Sequence, residues 1–256
     1  FLNNQIYRDV PERLITLTME TRLAEMMHEF LPEELKGTSS PATPCHPDLR
    51  LLHQQTDRLE GVAKEIAHRL CAKLIYAVVQ VYYYAQYPVF YCARYTHKPS
   101  QLYSTCLLYV LRHLFHNKHI GLTLGGKPRG RAHKEWIVGT TCDAGHAEAG
   151  PSIGAHTVEI GGRAIGFFSG QHDATTLGSS HAELYEQSRA VANLIPLRRF
   201  AVQLNIPQEE PGYVNTDNKS SIHSIDKRQS DKQSLYMKRR VVFMTESQEE
   251  GHTQHD

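Results

Sequence analysis

The hydrophobic period of this chain changes from helical to alternating after Gly125 to Gly130, and that change limits what it can fold into. From about Asp57 to Lys118 apolar residues recur at helical spacing. Ala63 to Tyr87 is a long apolar run broken at Pro88, and Pro99 to Phe115 sets Leu107, Leu111 and Leu114 on one stripe. After Gly125-Gly126-Lys127-Pro128-Arg129-Gly130 the period falls to two. Trp136 to Cys142, His156 to Ile160 and Arg163 to Ser169 then read as short strands, with Gly161-Gly162 as a tight turn between the last two. A helix from about Ser179 to Asn193 and another around Leu197 to Leu204 follow. A strand then ends at Asp217, a short helix starts at Asn218, and a basic helix covers about Lys232 to Glu250. Three antiparallel strands followed by helix, strand and helix require an α/β arrangement with a mixed sheet, preceded by a mostly helical region.

Ahead of the helical region, residues 1–18 alternate as a hairpin with Asp9-Val10-Pro11-Glu12 as its turn. Thr18 is positioned to cap a helix bearing Leu23, Met26, Met27 and Phe30, which ends before Pro32. Gly37 to Pro47, rich in Gly, Ser, Thr and Pro, is a linker or a wrapping loop. The expected segments are therefore 1–50, 51–130 and 131–256. The glycines at 125–130 lack the Walker spacing and its following Ser or Thr, so they read as a basic hinge. Val81-Tyr82-Tyr83-Tyr84 can be a base-stacking platform or core, and aromatic residues on a helix favour core.

Composition removes several classes. With 40% hydrophobic residues in 256, a core is expected, and a formal charge of +1 leaves any nucleic-acid affinity to local patches. Cys45, Cys71, Cys92, Cys106 and Cys142 are odd in number and form no Cys-x-x-Cys pair, against a disulfide framework or structural zinc and for a reducing compartment. The sixteen histidines show no metalloprotease spacing. No run nears the ~20 apolar residues of a membrane span. An intracellular protein, cytoplasmic or nuclear, is expected. The chain opens on Phe1 rather than Met, within a strand, and is read as a piece of something longer.

Three acids carry the chemistry. Asp143 and Asp217 each end an apolar or β-branched run, where a strand delivers an acid to its C-terminal tip, and Glu183 lies early in a helix. If they converge, their hard oxygens suit Mg²⁺ or Mn²⁺, and two such ions can clamp the attacking and leaving oxygens of a phosphodiester. Spacing alone leaves a second reading open, in which Asp217 is a helix N-cap and Asp143 a turn residue. The densest basic stretch is Lys227, Arg228, Lys232, Lys238, Arg239 and Arg240; it either holds phosphates or is a solvated face balanced by Glu246, Glu249 and Glu250.

These motifs, in this order, resemble the ribonuclease H domain of copia-type long-terminal-repeat retrotransposon polyproteins. Cys142-Asp143-Ala144 matches the family's Ser-Asp-Ala, and Ser152-Ile153-Gly154-Ala155-His156 its Ser-Thr-Ser-Gly-Tyr strand opening. Gly178-Ser179-Ser180-His181-Ala182-Glu183-Leu184 matches Ser-Ser-x-Glu-Ala-Glu-Leu, and Asp217-Asn218-Lys219-Ser220-Ser221-Ile222 matches Asp-Asn-x-Ser-Ala-Ile. Leu197 to Arg199 and Ile206 to Pro211 are typical of the intervening segments. Upstream, 1–17 resembles the end of the reverse-transcriptase palm. Ser39 to Pro44 resembles the family's Ser-Thr-Pro loop, Lys73 to Tyr76 and Tyr87 to Phe90 resemble its Gly-x-Leu-x-Tyr and Arg-Pro-Asp-Ile segments, and the helix to His119 resembles its connecting helices. The resemblance covers nearly the whole chain. Departures are Gly145-His146 for the usual Asp-Trp and Gln233-Ser234-Leu235-Tyr236 for Lys-His-Ile-Asp. The family's last strand and fourth acid would follow Gly251, so the expected sheet is one strand short with an open edge.

What the resemblance implies is a ribonuclease H-like mixed sheet behind a thumb and connection region. Asp143, Glu183 and Asp217 would hold two Mg²⁺ or Mn²⁺ ions and cleave the RNA strand of an RNA–DNA hybrid. The partners would be that hybrid and the rest of the Pol polyprotein, with no membrane and no organic cofactor. The polymerase carboxylates would lie before Phe1, so this chain would not polymerise. The alternative is a decayed or domesticated fragment that binds nucleic acid or protein without cutting.

Overall fold

A computed structural model describes residues 4–35, 37, 39–127, 136–146, 151–226 and 235–255. The chain divides into two compact units, one of Phe1–Asp9 and Ile15–Thr123 and the other of Val10–Leu14 and Leu124–Asp256. Segments 1–50 and 51–130 of the sequence reading thus contribute to one shared core.

In the first unit, β1 (Gln5–Asp9) and β2 (Leu14–Thr18) form the expected hairpin, with β3 (Leu122–Gly125) as the third strand of the sheet. Helices α1 (Glu20–Phe30), α2 (Gly61–Gln80), α3 (Gln86–Ala93) and α4 (Gln101–His116) follow. The stripe Leu23, Met26 and Phe30 of α1 is buried with Leu70, Leu74 and Val78 of α2 and Leu107, Leu111 and Leu114 of α4. Ser100 caps α4 by accepting from the Tyr103 N–H. The Pro-rich segment wraps this bundle: the Pro41 carbonyl hydrogen-bonds His113 Nδ1 at 2.9 Å, and the Ser39 carbonyl accepts from Arg112 at 2.6 Å.

Two local expectations differ from the structure. The Ala63 to Tyr87 helix ends at Gln80, and Pro88 sits inside α3, in its first turn, where its missing N–H removes no helical bond. Thr18 is not a cap: Met19 occupies the N-cap position of α1 without a side-chain bond, and the Thr18 hydroxyl lies 3.4 Å from Glu20 Oε1. The tyrosine run is core at Tyr82, which is fully buried. Its hydroxyl accepts from the Met19 N–H at 3.0 Å and donates to the Lys118 carbonyl at 2.8 Å, and burial pushes the phenol up to about 12. Tyr82→Phe leaves both backbone groups without this partner. It is expected to cost about 2 kcal/mol, measured as a lower urea midpoint at unchanged m-value.

The second unit is built on a five-stranded sheet in the order β6-β5-β4-β7-β8. Its strands are β4 (Val138–Gly145), β5 (Ile153–Ile160), β6 (Arg163–Gln171), β7 (Gly212–Asn215) and β8 (Thr253–His255). β4, β5 and β6 are antiparallel, while β7 runs parallel to both β4 and β8. Gly161 and Gly162, at φ 61° and 76°, make the β5–β6 turn with a conformation that side-chain-bearing residues resist. Residues 253–255 supply the strand expected to be missing, and they cover the edge of β7.

Helices α5 (Ser179–Gln203), α6 (Lys219–Asp226) and α7 (Leu235–Glu249) complete the unit. Cys142 and Val214 of the sheet pack with Leu184 and Val191 of α5, Ile225 of α6 and Val241 and Met244 of α7. The two helices expected at 179–193 and 197–204 are one, with Pro196 inside it. Leu194, Leu197 and Ala201 continue the stripe packed on Val138 and Val158 past the proline, and that burial outweighs one lost helical bond. The side chain of Arg198, on the same helix, is largely buried and donates to the carbonyls of Gln208 and Glu210, at 3.1 and 2.7 Å. Gln208 in turn bonds the Val138 N–H and the Trp136 carbonyl, pinning the α5–β7 connection to the start of β4.

Candidate metal centre

The register of two parallel strands brings the first two acids together. Thr140 pairs with Val214 and Thr141 with Asn215, and continuing that register past the end of β7 sets Asp143 beside Asp217. Side chains of β4 alternate, so Cys142 enters the helix-covered core while Thr141 and Asp143 are exposed. Asn215 Nδ2 lies 3.3 Å from Thr141 Oγ1, joining the two strands one step before the acids. The reading of Asp143 as a turn residue fails, since it lies within β4. Asp217 precedes the position that caps α6, because that helix begins at Lys219.

Glu183 arrives from the first turns of α5, which packs on β4. One ligand oxygen from each of Asp143, Glu183 and Asp217 lies within 4.8 Å of the others, and among the described residues this is the one group of acids, histidines or cysteines so arranged. Asp143 and Asp217 are exposed, whereas Glu183 is only 6% exposed. The Ala144 N–H donates to the Glu183 carboxylate, yet Glu183 Oε2 is buried with no hydrogen-bond partner. Burial, followed by the charge of Asp143, pushes Glu183 up to about 7, the Ala144 N–H opposing. Carboxylates whose oxygens lie within 4.8 Å of one another repel when all are charged, and a bound cation would offset that repulsion. Ligand atoms this close together, one from each carboxylate, could hold a metal ion.

The cysteine next to Asp143 offers no competing chemistry. Cys142 is buried, and burial together with the charge of Glu186 raises its thiol far above the range in which a thiolate forms. His146, in the position where the resemblance leads one to expect an aromatic residue, has Nδ1 3.3 Å from Ser152 Oγ, which itself lies 2.6 Å from Thr176 Oγ1.

Of the six basic residues singled out in the sequence, Lys227, Arg228 and Lys232 lie outside the described residues. Lys238 and Arg239 are exposed on α7. Arg240 is engaged within the unit: its guanidinium bonds Ser188 Oγ and the Tyr236 hydroxyl, and stacks 3.8 Å from the Tyr185 ring centroid.

A second cluster was not anticipated from the sequence. Glu186, one turn after Glu183 on α5, is fully buried, with Oε1 2.6 Å from His156 Nδ1 and Oε2 3.0 Å from His172 Nε2. Burial pushes this carboxyl up, but the hydrogen bonds from His156 and His172 more than offset it and hold the group at about 2. Its signal in the sequence is a glutamate three residues after Glu183, on a helix that must face the sheet.

Neither a protein-family model nor a curated protein sequence matches the chain. What it can do therefore rests on the geometry of the acids: three carboxylates, from two parallel strands and one helix, that can hold a metal ion.

Proposed function

We propose that this chain is part of a copia-type retrotransposon polyprotein and that its second unit is a ribonuclease H-like domain cleaving the RNA strand of RNA–DNA hybrids. One observation carries the reading: the β4–β7 register sets Asp143 beside Asp217, and the buried, unpartnered Oε2 of Glu183 belongs to the same cluster. Support also comes from the collinear motifs and from the element order of three antiparallel strands, helix and parallel strand. In this reading Asp143, Glu183 and Asp217 hold two divalent ions, Mg²⁺ or Mn²⁺. When bound, such ions acidify a water and neutralise charge on the phosphate. The carboxylates fix position, and their separate origins on rigid elements keep their spacing. No side chain is required as nucleophile, in keeping with the inert thiol of Cys142. Lys238 and Arg239, exposed on α7, are available to phosphates, whereas Arg240 acts through packing.

The test incubates the full chain with an RNA–DNA hybrid labelled on either strand, with Mg²⁺ or Mn²⁺, beside duplex RNA, duplex DNA and an EDTA control. Cleavage confined to the RNA strand of the hybrid and lost in EDTA is expected. Hybrid binding without cleavage under every ion condition would replace this reading with that of a binding module.

A further inference from the structure

We infer that Glu186, clamped between His156 and His172, is a positioning residue that sets the height of Glu183 against Asp143 and thereby the divalent-ion affinity of the triad. The inference rests on the proposal that the triad binds divalent ions. It starts from a short closed path through the fold. Glu183 and Glu186 are one turn apart on α5. Glu186 Oε1 bonds His156 Nδ1 at 2.6 Å, His156 adjoins Ala155 on β5, and Ala155 is the cross-strand partner of Asp143. The clamp thus ties the helix to the sheet at the level of the strand residue whose carboxylate must meet Glu183.

Every arm of the clamp is itself held. His156 Nε2 lies 2.8 Å from Asn193 Nδ2, and its ring stacks on Phe168 with centroids 5.4 Å apart. His172, just past β6, has Nε2 3.0 Å from Glu186 Oε2 and stacks on Tyr185 at 4.3 Å. Arg189 lies 3.9 Å from the same oxygen and covers the Phe168 ring. Gly154 leaves the space: a Cβ there would overlap the Glu186 carboxylate and the His172 ring. A carboxylate buried this deeply and bonded from β5 and from the residue that follows β6 holds its helix in one register. Metal affinity depends on ligand placement to within ~0.5 Å, which is why groups behind the ligands govern it.

The experiment measures Mn²⁺ affinity of the full chain by calorimetry, well below the melting temperature, for wild type, Asp143→Asn, Glu186→Ala and Glu186→Gln. Both Glu186 variants lose the same charge, but glutamine keeps an acceptor for one imidazole and a donor for the other. Glu186→Ala is expected to weaken Mn²⁺ binding by about tenfold, and Glu186→Gln to stay within about threefold of wild type. Affinity in Glu186→Ala within about twofold of wild type, even with a lowered melting temperature, would make the clamp merely structural and overturn the inference. Equal weakening in the two variants would assign the effect to charge and also overturn it. If Glu186→Ala does not fold, His172→Phe keeps the stack on Tyr185 without the bond to Glu186; weaker Mn²⁺ binding then supports the clamp and unchanged binding refutes it. Equal Mn²⁺ binding by wild type and Asp143→Asn would be a different failure, that of the triad as an ion site.

Discussion

Glu183→Gln is expected to have two effects of opposite sign: loss of ion-dependent cleavage to below about one-hundredth of wild type, and a more stable metal-free protein at pH 8. Glu183 is the buried member of the triad, and one of its oxygens has no hydrogen-bond partner. Its carboxyl is raised from the usual 4.5 to about 7, first by burial and next by Asp143. A group whose folded pKa lies above its unfolded value stabilises the fold only while protonated. Stability is therefore unaffected below pH ~4.5, declines as pH rises from there to about 7, and carries the full cost above that. At ~1.4 kcal/mol per pH unit, that cost is about 3 kcal/mol, which a neutral glutamine avoids. Thermal melts in EDTA should show wild type and Glu183→Gln converging near pH 4.5 and separating by pH 8, with the variant higher. Saturating Mn²⁺ should reverse the order at pH 8, because only wild type gains the binding energy. A constant difference across the pH range would show that the carboxylate is not held in a repulsive, ion-requiring cluster.

Two members of that cluster could be singled out in the sequence, for a local reason. An acid that closes an apolar, β-branched run marks a strand nearing its end, so Asp143 and Asp217 could be singled out, although spacing alone left them open as a turn residue and a helix N-cap until the β4–β7 register was known. The hairpin at 5–18 and the Gly161-Gly162 turn were legible on similar grounds, since turn chemistry is carried by adjacent residues. Features that depend on distant partners were not. Pro196 reads as a helix end, and only the burial of Leu194, Leu197 and Ala201 against Val138 and Val158 keeps α5 continuous. Thr253 to His255 is too short and too polar to read as a strand alone, but pairs with β7 once that edge exists. Arg240 looked like part of a solvent-facing basic run, yet the Tyr185 ring and Ser188 hydroxyl that engage it come from another helix.

Gly154→Ala is expected to destabilise the second unit by about 3 kcal/mol, more than a surface strand substitution, through one collision. In the sequence Gly154 is an interruption in a weak strand, and a glycine there signals a close approach without saying of what. The approaching group is the Glu186 carboxylate with the His172 ring behind it, brought from 32 and 18 residues along the chain. Neither can retreat cheaply: the carboxylate accepts from two imidazoles, and His172 is stacked on Tyr185. The added methyl must either separate β5 from α5 or break a hydrogen bond to a buried charge, and both cost more than ordinary overpacking of apolar groups. The two sites are therefore strongly coupled. Glu186→Ala removes the carboxylate that the new Cβ meets and the hydrogen bond that holds the His172 ring against it, so Gly154→Ala should cost about 1 kcal/mol less in that background. A double-mutant cycle by chemical denaturation measures the coupling directly. Additive costs would mean that the strain at Gly154 lies in the backbone of β5, leaving the clamp without a part in shaping that strand.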